Sequence, residues 1–172
     1  MRPVDSPSAD GVVPTFEEHY HRRFADTVHF AATIVGSSHA EDACQEAWTR
    51  IWQAWGQADP ERLDGWTFRI VRNSCIDRLR HNSRQAVPVD VLDSAGPATV
   101  EHDVVLRLEY DEVLDLLRKL PTPLRETIWL REVGELSYDE IASILAVPVG
   151  TVMSRLHNAR KRISRRLARR ER

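Results

Sequence analysis

Along most of this chain apolar residues recur at intervals of three and four, and almost nowhere at intervals of two. Ala40, Ala43, Cys44, Ala47, Trp48, Ile51, Trp52 and Trp55 form one such series. Phe68, Val71, Cys75 and Leu79 form a second, and Val152, Leu156, Ala159, Ile163 and Leu167 a third. At ~100° per residue each series occupies one side of a helix. No alternating β-branched run of useful length occurs, and no Asn-Gly or Asp-Gly joins two such runs. The spacing predicts an all-α protein.

The pattern fails in one place. His81 to Ala98 holds Pro88, Gly96 and Pro97 among scattered acids, with little amphipathic order, and reads as a flexible linker. A chain of 172 residues accommodates two small domains. We therefore expect a disordered N-terminus over 1–14, a helical bundle over 15–81, a linker over 82–103 and a second helical unit over 104–172. No apolar run approaches the ~20 residues of a membrane span, and the polar, Pro-bearing start lacks the order of a signal peptide. Two cysteines, Cys44 and Cys75, are too few for a disulfide framework or a four-ligand zinc site. The expectation is a soluble, cytoplasmic protein with buried thiols and no metal or cofactor.

The formal net charge of −2 conceals a split. From Pro148 to Arg172 nine Lys and Arg face one acid, Glu171, while the rest of the chain holds 15 basic and 25 acidic groups. A basic end on an acidic body is either a solvated tail or a polyanion-binding surface.

The motifs lie on the helices. Ser38-His39-Ala40-Glu41 fits a capping box that opens the first series. Its other face carries Asp42, Gln45, Glu46, Thr49 and Gln53, and by itself reads as an ordinary solvated surface. On the helix from Asp64 to Arg80, Trp66, Arg69, Asn73, Asp77 and Arg80 lie opposite the apolar stripe. A Trp among arginines suits single-stranded nucleic acid, with the ring stacking on bases and the guanidinium groups meeting phosphates. Equally, Trp66 can pack against the preceding element.

In the second half Val104 to Leu120 is amphipathic and acidic. Thr122-Pro123 opens a helix that Gly134 closes. Ser137-Tyr138-Asp139-Glu140 is a second capping box, with Leu136 and Ile141 at staple positions. After a short turn Pro148 starts a basic helix. Two helices joined by such a turn describe a helix-turn-helix. On the last one Ser154, His157, Asn158, Lys161 and Arg165 lie opposite the apolar stripe. Short polar side chains near its N-terminus suit base edges in a major groove, and Thr151 suits a phosphate. Arg160 and Lys161 and the arginines beyond them suit backbone neutralisation.

Both halves resemble the extracytoplasmic-function (ECF) sigma factors of bacterial RNA polymerase, a minimal branch of the sigma-70 family. His39-Ala40-Glu41-Asp42-Ala43-Cys44-Gln45-Glu46 is close to that family's D-A-E-D-hydrophobic-x-Q-E. The run from Trp66 to Arg80 looks like W-L-x-x-I-A-x-N-x-x-I-D-x-x-R. Leu136-Ser137-Tyr138-Asp139-Glu140-Ile141-Ala142, then Pro148-Val149-Gly150-Thr151-Val152-Met153-Ser154-Arg155-Leu156, follow L-S-Y-x-E-I-A and P-x-G-T-V-x-S-R-L. The resemblance covers residues 16–167.

The resemblance implies a sigma region 2 bundle and a sigma region 4 helix-turn-helix, and a chain that directs core RNA polymerase to promoters and assists their melting. It implies that Asp42, Gln45 and Glu46 grip the polymerase clamp. It assigns Trp66, Arg69, Asn73 and Arg80, with the loop from Gly56 to Leu63, to the single-stranded −10 element. It assigns Arg131, Thr151, Met153, Ser154, His157, Asn158, Arg160 and Lys161 to duplex at −35, with the polymerase flap beside them. The linker, with Asp90, Asp93, Glu101 and Asp103, corresponds to a segment that threads toward the active-site cleft and the RNA exit path. An anti-sigma factor is the implied inhibitor. Four departures stand out: Thr67 replaces a usual Leu, Met153 and Asn158 stand where basic residues are common, and Ala146 replaces a frequent Gly.

Two other classes compete on sequence alone, a conventional helix-turn-helix regulator and a helical adaptor with an incidental basic tail. Enzyme readings do not. The seven histidines are scattered without an H-E-x-x-H, and no Gly-rich phosphate loop is present.

Overall fold

The structure, a computed structural model, describes residues 14–85 and 116–170. The expected disorder over 1–14 lies almost wholly outside those residues. So do most of the linker over 82–103, its four acids, and the greater part of the amphipathic stretch from Val104 to Leu120.

Three helices build the first cluster. Helix α1 runs Phe16–Val35 and opens with a capping box in which Thr15 Oγ1 accepts from the Glu18 N–H and Glu18 Oε2 accepts from the Thr15 N–H. Helix α2, Ser37–Gln53, follows after the single residue Gly36, whose φ of 80° closes one helix and opens the next. A side chain is strained at that φ, which is why the position suits glycine. The capping box expected at Ser38 is absent for the same reason. With Gly36 as the junction, Ser38 already lies inside the first turn. Two 3₁₀ turns, Trp55–Gln57 and Pro60–Arg62, lead to helix α3, Leu63–Gln85.

The second cluster begins with residues 116–118, which are helical, and continues with α4, Thr122–Glu132. Pro121 holds the cap position of α4 without a side-chain bond. Thr122 was the expected cap, but its hydroxyl accepts from the Arg125 guanidinium at 3.1 Å instead. The box at Ser137 is formed as expected and opens α5, Tyr138–Leu145. Leu136 and Ile141 are both buried beside it. Helix α6 runs Val149–Arg170. Between α5 and α6 Ala146 adopts φ 53° and ψ 49°, the left-handed region in which a Cβ is unfavourable.

The clusters pack against one another and share a continuous apolar core that includes Phe30, Phe68, Trp129, Leu130, Ile141 and Leu156. Phe30 and Phe68 meet edge to face with centroids 5.4 Å apart. At the junction a Cβ on Gly134 would lie 2.7 Å from the Leu130 carbonyl oxygen and 3.2 Å from the Phe68 ring, so the backbone approaches too closely for any side chain. Polar straps cross the same seam. Arg23, only 8% exposed, gives Nε and Nη2 to the Asp64 carboxylate at 3.0 and 2.6 Å and Nη1 to the Val133 carbonyl at 3.4 Å. Arg72 gives Nε to Glu126 at 3.2 Å and Nη1 to the Ile144 carbonyl at 3.4 Å.

Thr67, where the family pattern has Leu, is fully buried and satisfied. Its hydroxyl pairs with His19 Nε2 at 2.8 Å. His19 is itself buried, and burial lowers its pKa to about 4 despite the Asp64 carboxylate, with Arg22 and Arg23 adding to the depression. Both thiols are buried too, and burial raises the pKa of each, Cys75 to about 12. They are neutral apolar fillers rather than reactive thiolates.

The three apolar stripes are buried from their N-terminal ends through their middle turns and reach the surface only toward their C-terminal ends. Leu79 and Leu167 are exposed, and so is Trp52, at 59%.

Two measurements probe this fold. Ala146→Gly should raise stability by about 0.5–1 kcal/mol in urea unfolding, because the left-handed cap no longer strains a Cβ. The folded state also resists protonating His19 until about pH 4, whereas an unfolded histidine protonates near its ordinary 6.5. The His19 contribution is therefore full above pH 6.5 and should be lost progressively as pH falls from there to about 4. His19→Gln should flatten that stretch of the stability profile and leave the loss below pH 4.

Candidate functional site

Three surfaces carry the residues singled out from the sequence. The first is the outer face of α2. Asp42, Gln45, Glu46 and Thr49 are all exposed there, because the 3,4-spaced Ala43, Cys44, Ala47, Trp48 and Ile51 occupy the buried side. Neither carboxylate is without a partner. Arg78, reaching across from α3, donates Nη2 to Asp42 Oδ2 and Nη1 to Glu46 Oε1, both at 2.9 Å. One turn further on the face ends at Trp52. Beside it α1 and α2 enclose an apolar groove of about 300 Å³ lined by Phe16, Tyr20, Phe24, Trp48 and Trp52.

The second surface is on α3. Trp66 is half-buried and packs on the core, while Arg69, Asn73 and Arg80 are exposed. Helix α5 lies against the same stretch. Ser143 of α5 accepts from Arg69 Nη2 at 2.7 Å. A Cβ on Gly65 would stand 3.1 Å from Glu140 Oε1, so the two helices touch there as well.

The third surface is the solvent side of α6. Met153, Ser154, His157, Asn158, Arg160 and Lys161 are exposed along it, with Thr151 half-buried at its start. Val152, Leu156 and Ala159 hold the other side in the core. The Ser154 hydroxyl donates to the Thr151 carbonyl at 3.0 Å, within its own helix. Arg160 is paired with Glu132 of α4 at 2.8 Å. Arg131 stands apart from this group. Its Nη1 donates to the Leu136 carbonyl at 2.7 Å and its guanidinium lies over the Tyr138 ring at 5.3 Å, so it braces the turn between α4 and α5.

Arg78, Trp52, Arg72 and Ser143 were not among the expected site residues. For Trp52 a signal existed, since it extends the Asp42–Gln45–Thr49 face by another 3–4 step. Arg78 and Ser143 act through partners 32 or more positions away, and no local pattern marks such a pair. Among the described residues no cluster of His, Cys, Asp or Glu could hold a metal ion, and no helix is long and apolar enough to cross a membrane.

Comparison with known proteins accounts for both clusters. Residues 18–85 match the family model of sigma-70 region 2 and residues 110–163 that of sigma-70, region 4. The ECF RNA polymerase sigma factor SigE of Mycolicibacterium smegmatis is 31% identical over 98% of this chain and 71% of its own. SigW of Bacillus subtilis is 32% identical over 78% of this chain and 79% of its own. The ECF sigma-E factor of Escherichia coli K12 is 32% identical, over 86% and 82%. Among solved structures, CnrH in complex with the cytosolic domain of CnrY superposes with a TM-score of 0.60 at 26% identity, covering 89% of this chain and 87% of that one. RpoE in complex with the anti-sigma factor NepR from Bartonella quintana shares the fold with a TM-score of 0.68, covering 89% and 96%. With both conserved regions present in order, the regulator and adaptor alternatives give way: the chain belongs to the ECF RNA polymerase sigma factors of the sigma-70 family, non-enzymatic proteins that direct RNA polymerase to promoters.

Proposed function

We propose that the three surfaces divide this task. The exposed face of α2 docks on the clamp of core polymerase. The α3 face with Trp66, Arg69, Asn73 and Arg80 takes the non-template strand at −10. The α6 face takes duplex at −35. The observation that carries the reading is the last helix, where Met153, Ser154, His157, Asn158 and Lys161 are exposed together on one side of the second helix of a helix-turn-helix. A helix presented that way fits a major groove, where each good base contact contributes about 1–3 kcal/mol. Arg131, engaged with Leu136 and Tyr138, supports the turn and reaches DNA only at its edge.

At −10 the strand must be unstacked, which costs a few kcal/mol and is offset by stacking on Trp66 and by phosphate contacts. In the arrangement described here α5 stands against that face and Ser143 holds Arg69. Strand capture therefore requires α5 to move aside. Polymerase supplies the means, since it holds the two clusters at the promoter spacing and converts two weak contacts into one tight one. An anti-sigma factor, as in the complex of RpoE with NepR, is the natural inhibitor. It would act by blocking the clamp face and holding the two clusters together.

Run-off transcription with core polymerase and a promoter library tests the division of labour. Trp66→Ala should retain polymerase binding and lose opening at −10, whereas Ser154→Ala should open promoters but change the −35 sequences selected. Identical promoter choice by Ser154→Ala and wild type would count against the α6 assignment. A second measurement addresses the closed arrangement. Ser143→Ala frees Arg69 without altering any proposed DNA contact, and should raise the affinity of the free chain for a single-stranded −10 oligonucleotide about two- to fivefold. Unchanged affinity would show that α5 does not compete with the strand.

A further inference from the structure

We infer that Arg78 is a positioning residue for the polymerase contact: it fixes the Asp42 and Glu46 carboxylates in the orientation in which α2 presents them to a cationic partner surface. The inference rests on the reading of α2 given above and adds to it a residue that no family motif singles out.

Asp42 and Glu46 stand four positions apart on one helix face, where two carboxylates repel. Left alone, each would sample several rotamers, and a partner would have to immobilise both on docking. Arg78 removes that cost in advance. Its planar fork gives one nitrogen to each carboxylate, Nη2 to Asp42 and Nη1 to Glu46, both at 2.9 Å.

Exposure shows which partner faces outward. The Arg78 side chain is 22% exposed, against 65% for Asp42 and 56% for Glu46. The cation thus lies low between α2 and α3 while the acids stand above it. Each bond uses one carboxylate oxygen, and Asp42 Oδ1 and Glu46 Oε2 have no partner among the described residues. The two remaining oxygens are the acceptors a guanidinium or ammonium from the partner would use.

The helices that carry this array are tied by a second strap in the opposite sense. Arg50 of α2 donates to the Ser74 hydroxyl of α3 at 3.2 Å and lies 3.6 Å from Asp77. That strap joins the same two helices without touching Asp42 or Glu46. It therefore separates positioning of the carboxylates from docking of the helices.

The experiment is a kinetic titration of labelled full-length chain with core RNA polymerase at several salt concentrations. Arg78→Ala should weaken binding roughly three- to tenfold. The loss should lie in the dissociation rate. The association rate should hold or rise at low salt, because the face has gained one net negative charge. Arg78→Lys, a point charge without a fork, should recover part of the loss. In an Asp42→Ala/Glu46→Ala background, Arg78→Ala should have no further effect. Arg50→Ala should bind as wild type.

Unchanged or tighter binding by Arg78→Ala, with the double carboxylate variant weakened, would overturn the inference and leave the reading of α2 intact. So would an equal loss in Arg50→Ala, since the effect would then be one of helix docking. Full binding by the double carboxylate variant would overturn the reading of α2, and the role of Arg78 with it.

Discussion

A guanidinium withdrawn from water is tolerated only where every face of it finds a partner, because desolvating the charge costs several kcal/mol. Arg23 meets that condition by drawing on three elements. Asp26 comes from its own helix, Asp64 from the first turn of α3, and the Val133 carbonyl from the end of α4. Burial alone would raise the Asp64 pKa, but the hydrogen bonds and charge of Arg23, with Arg22 and His19, bring it below its ordinary value. Asp64 in turn sits beside His19, whose ring is tied to Thr67. One buried charge therefore sets where α3 begins, how α1 lies on it, and where the second cluster meets the first.

The surfaces follow from that placement. With α3 anchored by Asp64, Phe68 meets Gly134 and Arg72 meets Glu126. Helix α5 then lies along the Arg69 side of α3. The same packing leaves the α6 face and the α2 face open to solvent. The chain in this arrangement thus leaves two of the three faces proposed for interaction exposed, and partly covers the α3 face proposed for single-stranded DNA.

Much of this was legible because helices are locally encoded. The buried sides of α2, α3 and α6 follow from 3,4 spacing, the Ser137 box from a four-residue signature, and the helix-turn-helix from two such helices and a short turn. Ala146 was recognisable as a strained position only through the family resemblance, whose pattern frequently has Gly there. Other expectations failed at boundaries. Ser38 and Thr15 both head a box-like sequence, and Gly36, by joining α1 to α2 directly, decides that only Thr15 caps a helix. Trp52 fits the apolar stripe of α2 by spacing but falls at its edge, where one step of 100° separates core from solvent.

The sequence by itself determined the class of the fold, the polarity of its charge, the Ser137 cap and the buried faces of the helices, since each depends on residues within a turn or two of one another. Only the tertiary structure decided which charges meet. The pairings of Arg23 with Asp64, Arg72 with Glu126, Arg69 with Ser143 and Arg78 with Asp42 and Glu46 join residues 32 to 74 positions apart. Such a pairing has no local signature. It exists only once apolar packing has set the distances between helices, and a charge on an exposed face has no preferred partner until then.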